Sequence, residues 1–386
     1  MMKTKRSLLH EYRSLFPILE EKIHLGNCSQ SPQSTPVLAA IDEYLSNWRS
    51  VGMDWDFWME GVEQAKASFA RLINADPSEV AVAGSVSDAA SMIASAFPLG
   101  NQRHVVTTVD EFPTVGQVWN AHARRGWLDV DFVSAADRIY TPSVFEPHIT
   151  SQTGVLSVHH VGYYNGAKQD LNELASLAHE HHALLFVDAY QSMGTCVIDV
   201  QKTPIDILVS GNLKYLLGMP GIAFLYVRKE VAERLEPAMT GWFGRQNPFH
   251  FDAKNLDYAA SAGRFNTGTP PVLAAFAARG GMDLIFDVGL ERIERRIDEL
   301  SAYAVQGVQA RGLDLASPED ITLKGANTAI RVSNAHDVEV FLMEKSIIAS
   351  ARGDVIRLAP HFFSTEAELD RALDAICERN GQHRAH

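Results

Sequence analysis

Between Thr153 and Arg228 the chain carries four short, almost wholly apolar runs, TGVLSVHHV, ALLFVDAY, IDILVSG and GIAFLYVR, separated by brief polar or amphipathic stretches. Runs of this length, rich in Val, Ile and Leu, read as strands buried on both faces, which is the mark of a mostly parallel sheet covered by helices. Between the first two, DLNELASLAHEHH has helical spacing and closes on histidines, which suit the negative end of a helix. Upstream, EVAVAG and HVVTTVD repeat the strand pattern, each followed by a helical one, SDAASMIASAF and VGQVWNAHARRG. The expectation is an α/β protein whose central sheet fills a large domain, residues 23–261. From about residue 262 the text changes to long helices, PPVLAAFAARGGMDLIFDVG and LERIERRIDELSAYAVQGVQARG, then to short runs such as TAIRVSN and VIRLAP. This predicts a smaller α+β domain, residues 262–386, with an N-terminal arm, residues 1–22, packed against it.

Composition narrows the function. A chain of 386 residues, 46% hydrophobic and 21% charged, is long enough for two cores. It has no run of eighteen apolar residues, and its start lacks the apolar stretch of an export signal, so neither a membrane nor secretion is expected. A formal net charge of −13 argues against nucleic acid as a partner, because a phosphate backbone selects a basic face. Cys28, Cys196 and Cys377 are odd in number and lack C-x-x-C spacing, which suits a reducing cytoplasm rather than a disulfide framework or a zinc site. HEHH, residues 179–182, is read as a helix end, and no metal is expected.

Ligands of parallel sheets sit outside the carboxyl ends of the strands, so the residues just past each run belong together. Asp188 follows ALLFV, Lys214 follows IDILVSG, Phe112 follows VVTTVDE, and Ser85, Val86 and Ser87 open a helix after VAVAG. A helix start with small hydroxyl residues is a phosphate cradle. A phosphate site, an aromatic ring, a carboxylate and a lysine are together what pyridoxal 5'-phosphate requires. Lysine can form a Schiff base with the cofactor aldehyde. An aspartate beside the pyridine nitrogen keeps it protonated, by on the order of 4 kcal/mol at 4 Å and an effective dielectric near 20. Phe112 could stack on the ring and Gln191 donate to its phenolic oxygen.

These residues also carry a resemblance. FVDAYQSMGTCVIDVQKTPIDILVSGNLKYLLGMPGIAFLYVR resembles the core signature of class V aminotransferases, the fold-type I branch of pyridoxal-phosphate enzymes that includes cysteine desulfurases, kynureninases and isopenicillin N epimerase. EFPTVGQVW is similar to the segment with the stacking ring, and GWFG to a kynureninase motif, which implies Trp242 near phosphate. RFNTGTPP resembles a stretch that implies Gly268 and Thr269 on the phosphate of the neighbouring subunit, hence a homodimer with shared sites. RGDVIRLAPHFFST implies Arg357 as the clamp on the substrate carboxylate, with Tyr163 and Asn27 assigned beside it. Gly211 and Leu213 stand where the family commonly has serine and histidine or tyrosine, leaving Trp242 and Asn212 to replace their phosphate contacts. Gly162 and Tyr163 replace a serine and an asparagine, and KSIIASARGD lacks the mobile cysteine of desulfurases, which disfavours persulfide chemistry. The resemblance implies a lyase acting at the side chain of a small amino acid, with transamination, or cofactor binding without turnover, as alternatives.

Overall fold

The computed structural model describes residues 12–98 and 100–384. Its centre is a seven-stranded sheet built from β2 (Val80–Ala83), β3 (His104–Thr108), β4 (Asp129–Val133), β5 (Thr153–His159), β6 (Leu184–Asp188), β7 (Ile207–Gly211) and β8 (Ala223–Val227). The spatial order is β2-β8-β7-β6-β5-β3-β4. Only β8 runs against the rest, pairing antiparallel with both β7 and β2. The predicted mostly parallel α/β sheet is thus the observed one, with one reversed strand that the sequence pattern did not distinguish.

Side-chain alternation along the strands divides the core in two. Leu185, Val187, Leu208 and Phe224 join one apolar cluster, while Leu184, Phe186, Val209 and Leu225 join another. Helix α2 (Trp55–Leu72), which follows α1 (Thr35–Val51), lies against the first, and α3 (Val86–Ala94) and α4 (Pro113–Ala123) close the second. The predicted DLNELASLAHEHH helix is α5 (Leu171–Glu180), and its His179 Nε2 lies 2.7 Å from Asp206 Oδ2. Helix α6 (Val272–Val288) packs along both α1 and α2. Its apolar residues run almost all round it, as burial between layers requires.

A third cluster forms around β10 (Thr328–Arg331), β12 (Ser350–Arg352) and β13 (Val355–Leu358), with α7 (Leu290–Ala310), α8 (Ala335–Glu344) and α9 (Glu366–Arg384). Strand β1 (Ile23–His24) pairs parallel with β11 (Ile347–Ile348) and adds Ile23 and Leu25 to that cluster. Of the N-terminal arm, residues 1–11 lie outside the described residues. The Phe16 ring lies 4.3 Å from that of Phe363, tilted by 42°, and Arg13 holds Glu368 at 2.6 Å. Among the described residues no helix is long and apolar enough to cross a membrane.

Candidate active site

Because β2, β3, β5, β6 and β7 share one direction, their carboxyl ends share one edge of the sheet. Helix α3 starts there on an N-cap, Ser85, whose Oγ accepts from the Asp88 N–H at 3.1 Å. Among the described residues the N–H groups of Val86 and Ser87 find no hydrogen-bond acceptor, and Ser87 Oγ lies 3.2 Å from Thr114 Oγ1 on α4. This leaves two backbone donors, beside a hydroxyl pair, for an anion at a helix start.

Asp188 ends β6 and is buried, its Oδ1 accepting from the Tyr190 N–H at 2.9 Å. Burial pushes its carboxyl up to about 6, opposed by that N–H, with nearby Glu111 adding to the rise. Its neighbour across the ladder is His159, whose Nδ1 and N–H both meet Glu111 Oε1 at 2.9 Å. Burial pulls the His159 imidazole toward its neutral form, but Glu111, Asp188 and Asp110 leave it above its ordinary value. Lys214 follows the end of β7. Its Nζ has no acceptor or ion-pair partner among the described residues and lies 4.0 Å from the Tyr190 ring centroid and 5.5 Å from that of Phe112. Burial lowers its amine to about 8 against the pull of Asp188 and Cys28, while Arg357 and Arg352 add to the lowering. A lysine so desolvated, with rings rather than a carboxylate at its tip, is predisposed to be a nucleophile.

Phe112 caps α4, is half exposed and meets Tyr163 edge-on at 5.3 Å. Gln191 Nε2 donates to Cys28 O at 3.0 Å, leaving Oε1 buried without a partner. Arg357, on β13, is only 1% exposed and donates to four neutral groups: Tyr163 O at 2.7 Å, Ser350 Oγ at 2.7 Å, Ser29 Oγ at 3.1 Å and Ser350 O at 3.3 Å. A buried guanidinium without a carboxylate is uncompensated, and an incoming carboxylate relieves that. Asn27 is also buried, bound through Nδ2 to Ala359 O at 2.7 Å, with Oδ1 free.

Other sequence candidates sit apart. Asn212 is fully buried against Gly218, and neither of its side-chain polar atoms has a partner. Trp242 lies in a cluster with Phe243, Phe249 and Phe251, the last 82% exposed. Gly268 and Thr269 are exposed and line a cavity with Gly84 and Phe243. Trp242 takes its ring contacts, and Gly268 and Thr269 their cavity, from elements other than the Lys214 loop.

Sequence reading missed Tyr190, Glu111 and His159. The rule of strand ends would reach all three, since each lies at the carboxyl end of β6, β3 or β5. Nothing in the sequence signals Ser29 or Ser350, which meet Arg357 from 328 and 7 residues away.

The chain is similar to known proteins. Residues 23–361 match the family model described as Aminotransferase class-V. The chain is 39% identical, over 96% of its length and 98% of the relative's, to an uncharacterized aminotransferase, YcbU, of Bacillus subtilis. It is 28% identical, over 83% of its length and 78% of the relative's, to a kynureninase of Deinococcus radiodurans. Among solved structures, a cysteine desulfurase of Thermococcus onnurineus superposes with TM-score 0.87 at 23% identity, over 97% of this chain and 98% of that one, a likeness of fold.

Proposed function

The chain belongs to the class-V aminotransferase family of pyridoxal-phosphate-dependent, fold-type I enzymes, and on that premise we propose that it is a lyase cleaving or eliminating the side chain of a small amino acid. The observation that carries the reading is the placing of Lys214 and Asp188 on adjacent strand ends, the amine lowered to about 8 and the acid buried.

The residues present fit the cofactor. The free N–H groups of Val86 and Ser87 suit its phosphate, the unpartnered Gln191 oxygen and the buried Asp188 carboxyl need polar company, and Phe112 offers a ring face. Bound there, pyridoxal phosphate supplies an aldehyde for an amine and a ring that takes up electrons from the α-carbon. Asp188 holds the proton on the ring nitrogen. Lys214, the amine nearest that ring, would move the proton at the substrate α-carbon. Arg357 clamps the substrate carboxylate, with Tyr163 and Asn27 lining the same end. Gly268 and Thr269 serve the site of a neighbouring subunit. Their exposure, with that of Phe249 and Phe251, supports a homodimer with shared sites. Asn212 is retained only as a support beneath the lysine loop.

We further propose the division into an arm (1–22), a large domain (23–261) and a small domain (262–386), supported by the separate cluster around β10 and β13. A cytoplasmic location is proposed from three free cysteines, two of them buried.

The lyase reading draws on relatives named for kynureninase and cysteine desulfurase chemistry, and on a solved cystine C–S lyase at TM-score 0.87 and 18% identity that is alike in fold. The name of the 39% identical relative favours transamination as the second reading. Incubating the holoenzyme with an amino-acid panel separates them. Ammonia and a keto acid formed without an amino acceptor support the lyase, and strict acceptor dependence supports transamination. Spectral change without product in either format identifies a non-catalytic binder.

A further inference from the structure

Gly211 is the last residue of β7, three before Lys214. A Cβ built on it would collide with Cζ and Oη of Tyr190, so glycine stands there because a phenol fills the space of its side chain. Tyr190 itself belongs to the end of β6, two residues past Asp188, and its ring therefore reaches across to β7, one strand nearer to β2 and the start of α3. It packs on the sheet face whose apolar cluster includes Val86, the first residue of that helix. Burial, with Asp188 adding, raises the phenol above its ordinary value, so it stays a donor at working pH. The Leu213 backbone beside the phenol opposes that rise only in part. With Lys214 Nζ 4.0 Å from the ring centroid, amine and hydroxyl address one ligand.

The sequence candidates for a hydroxyl-like donor at this place do not fill it, since Asn212 is buried beneath Gly218 and Trp242 lies in the exposed aromatic cluster. We propose that the Tyr190 hydroxyl binds the phosphate of the cofactor, doing from β6 what a side chain at residue 211 would do from β7. The inference rests on the pyridoxal-phosphate reading above.

The test strips the purified protein of cofactor and measures equilibrium binding of pyridoxal phosphate and of pyridoxal, which lacks the phosphate. Tyr190→Phe is expected to weaken pyridoxal phosphate by roughly 10- to 100-fold, the loss of one charge-assisted hydrogen bond, and to leave pyridoxal within about twofold of wild type. The 31P signal of bound cofactor should shift in the same variant. Moving the hydroxyl back, as Tyr190→Ala with Gly211→Ser, should regain preference for the phosphorylated ligand relative to Tyr190→Ala alone. An unchanged preference in Tyr190→Phe, or equal loss of both ligands, overturns the inference while the cofactor reading stands. Wild type that binds neither ligand overturns both.

Discussion

At the scale of single residues, the site is governed by what desolvation does to two charges. An amine lowered to about 8 is mostly protonated at pH 7 and mostly free at pH 9, whereas an exposed lysine would stay protonated past pH 10. The rate at which Lys214 in the cofactor-free protein captures an aldehyde should therefore rise with a midpoint near pH 8. Stopped-flow absorbance measures it, and a midpoint near 10.5 would contradict the buried environment. Asp188 gives the opposite sign for stability. With its folded value raised to about 6 from 3.8, the folded state binds more protons than the unfolded one, so stability falls as pH rises through that window. Asp188→Asn should flatten that slope in chemical denaturation of the cofactor-free protein. Arg357→Gln removes the only charge from its hydrogen-bonded nest and should lower kcat/KM roughly a hundredfold for α-carboxylate substrates. An amine without a carboxylate should be affected much less. Reading strand ends in the sequence was enough to bring Asp188, Lys214, Phe112 and Ser87 to one edge. It could not reveal Ser29 and Ser350 beside Arg357, because a hydroxyl acquires that role only when chain 321 residues apart is folded together.

At the scale of elements, packing decides where periodicity is silent. The apolar run of β8 looks like those of β6 and β7, since burial on both faces leaves no trace of strand direction, and its reversal is therefore legible only in the fold. Helix α6 was readable as a helix but not as a partner of α1 and α2, because a helix apolar on most sides names no neighbour. That contact is tight enough to test. A Cβ at Gly61 on α2 would run into the Phe276 ring of α6. Alanine gains about 1 kcal/mol in helix preference, yet overpacking costs about 1–3 kcal/mol, so Gly61→Ala should lower the melting temperature. Calorimetry should then find part of the loss restored in Gly61→Ala/Phe276→Leu, where the ring is gone.

At the scale of the whole molecule, one chain places Lys214, Asp188 and Arg357 near one another but leaves Gly268 and Thr269 exposed. If these complete the site of a second copy, mixing two inactive variants, Lys214→Ala and Thr269→Arg, and allowing subunits to exchange should restore turnover. Each mixed dimer then holds one site free of both changes. Mixing without recovery, despite exchange verified by mass, would place the missing contacts within one chain. The reversed strand β8 carries a consequence of its own. It inserts two inter-strand spacings, about 9–10 Å, between the ends of β2 and β7 and brings only its amino end, at Ala223, to that edge. A molecule anchored at both the helix start and the amine has to span that interval, so β8 works as a gauge that admits a ligand by its reach before any side chain inspects its chemistry.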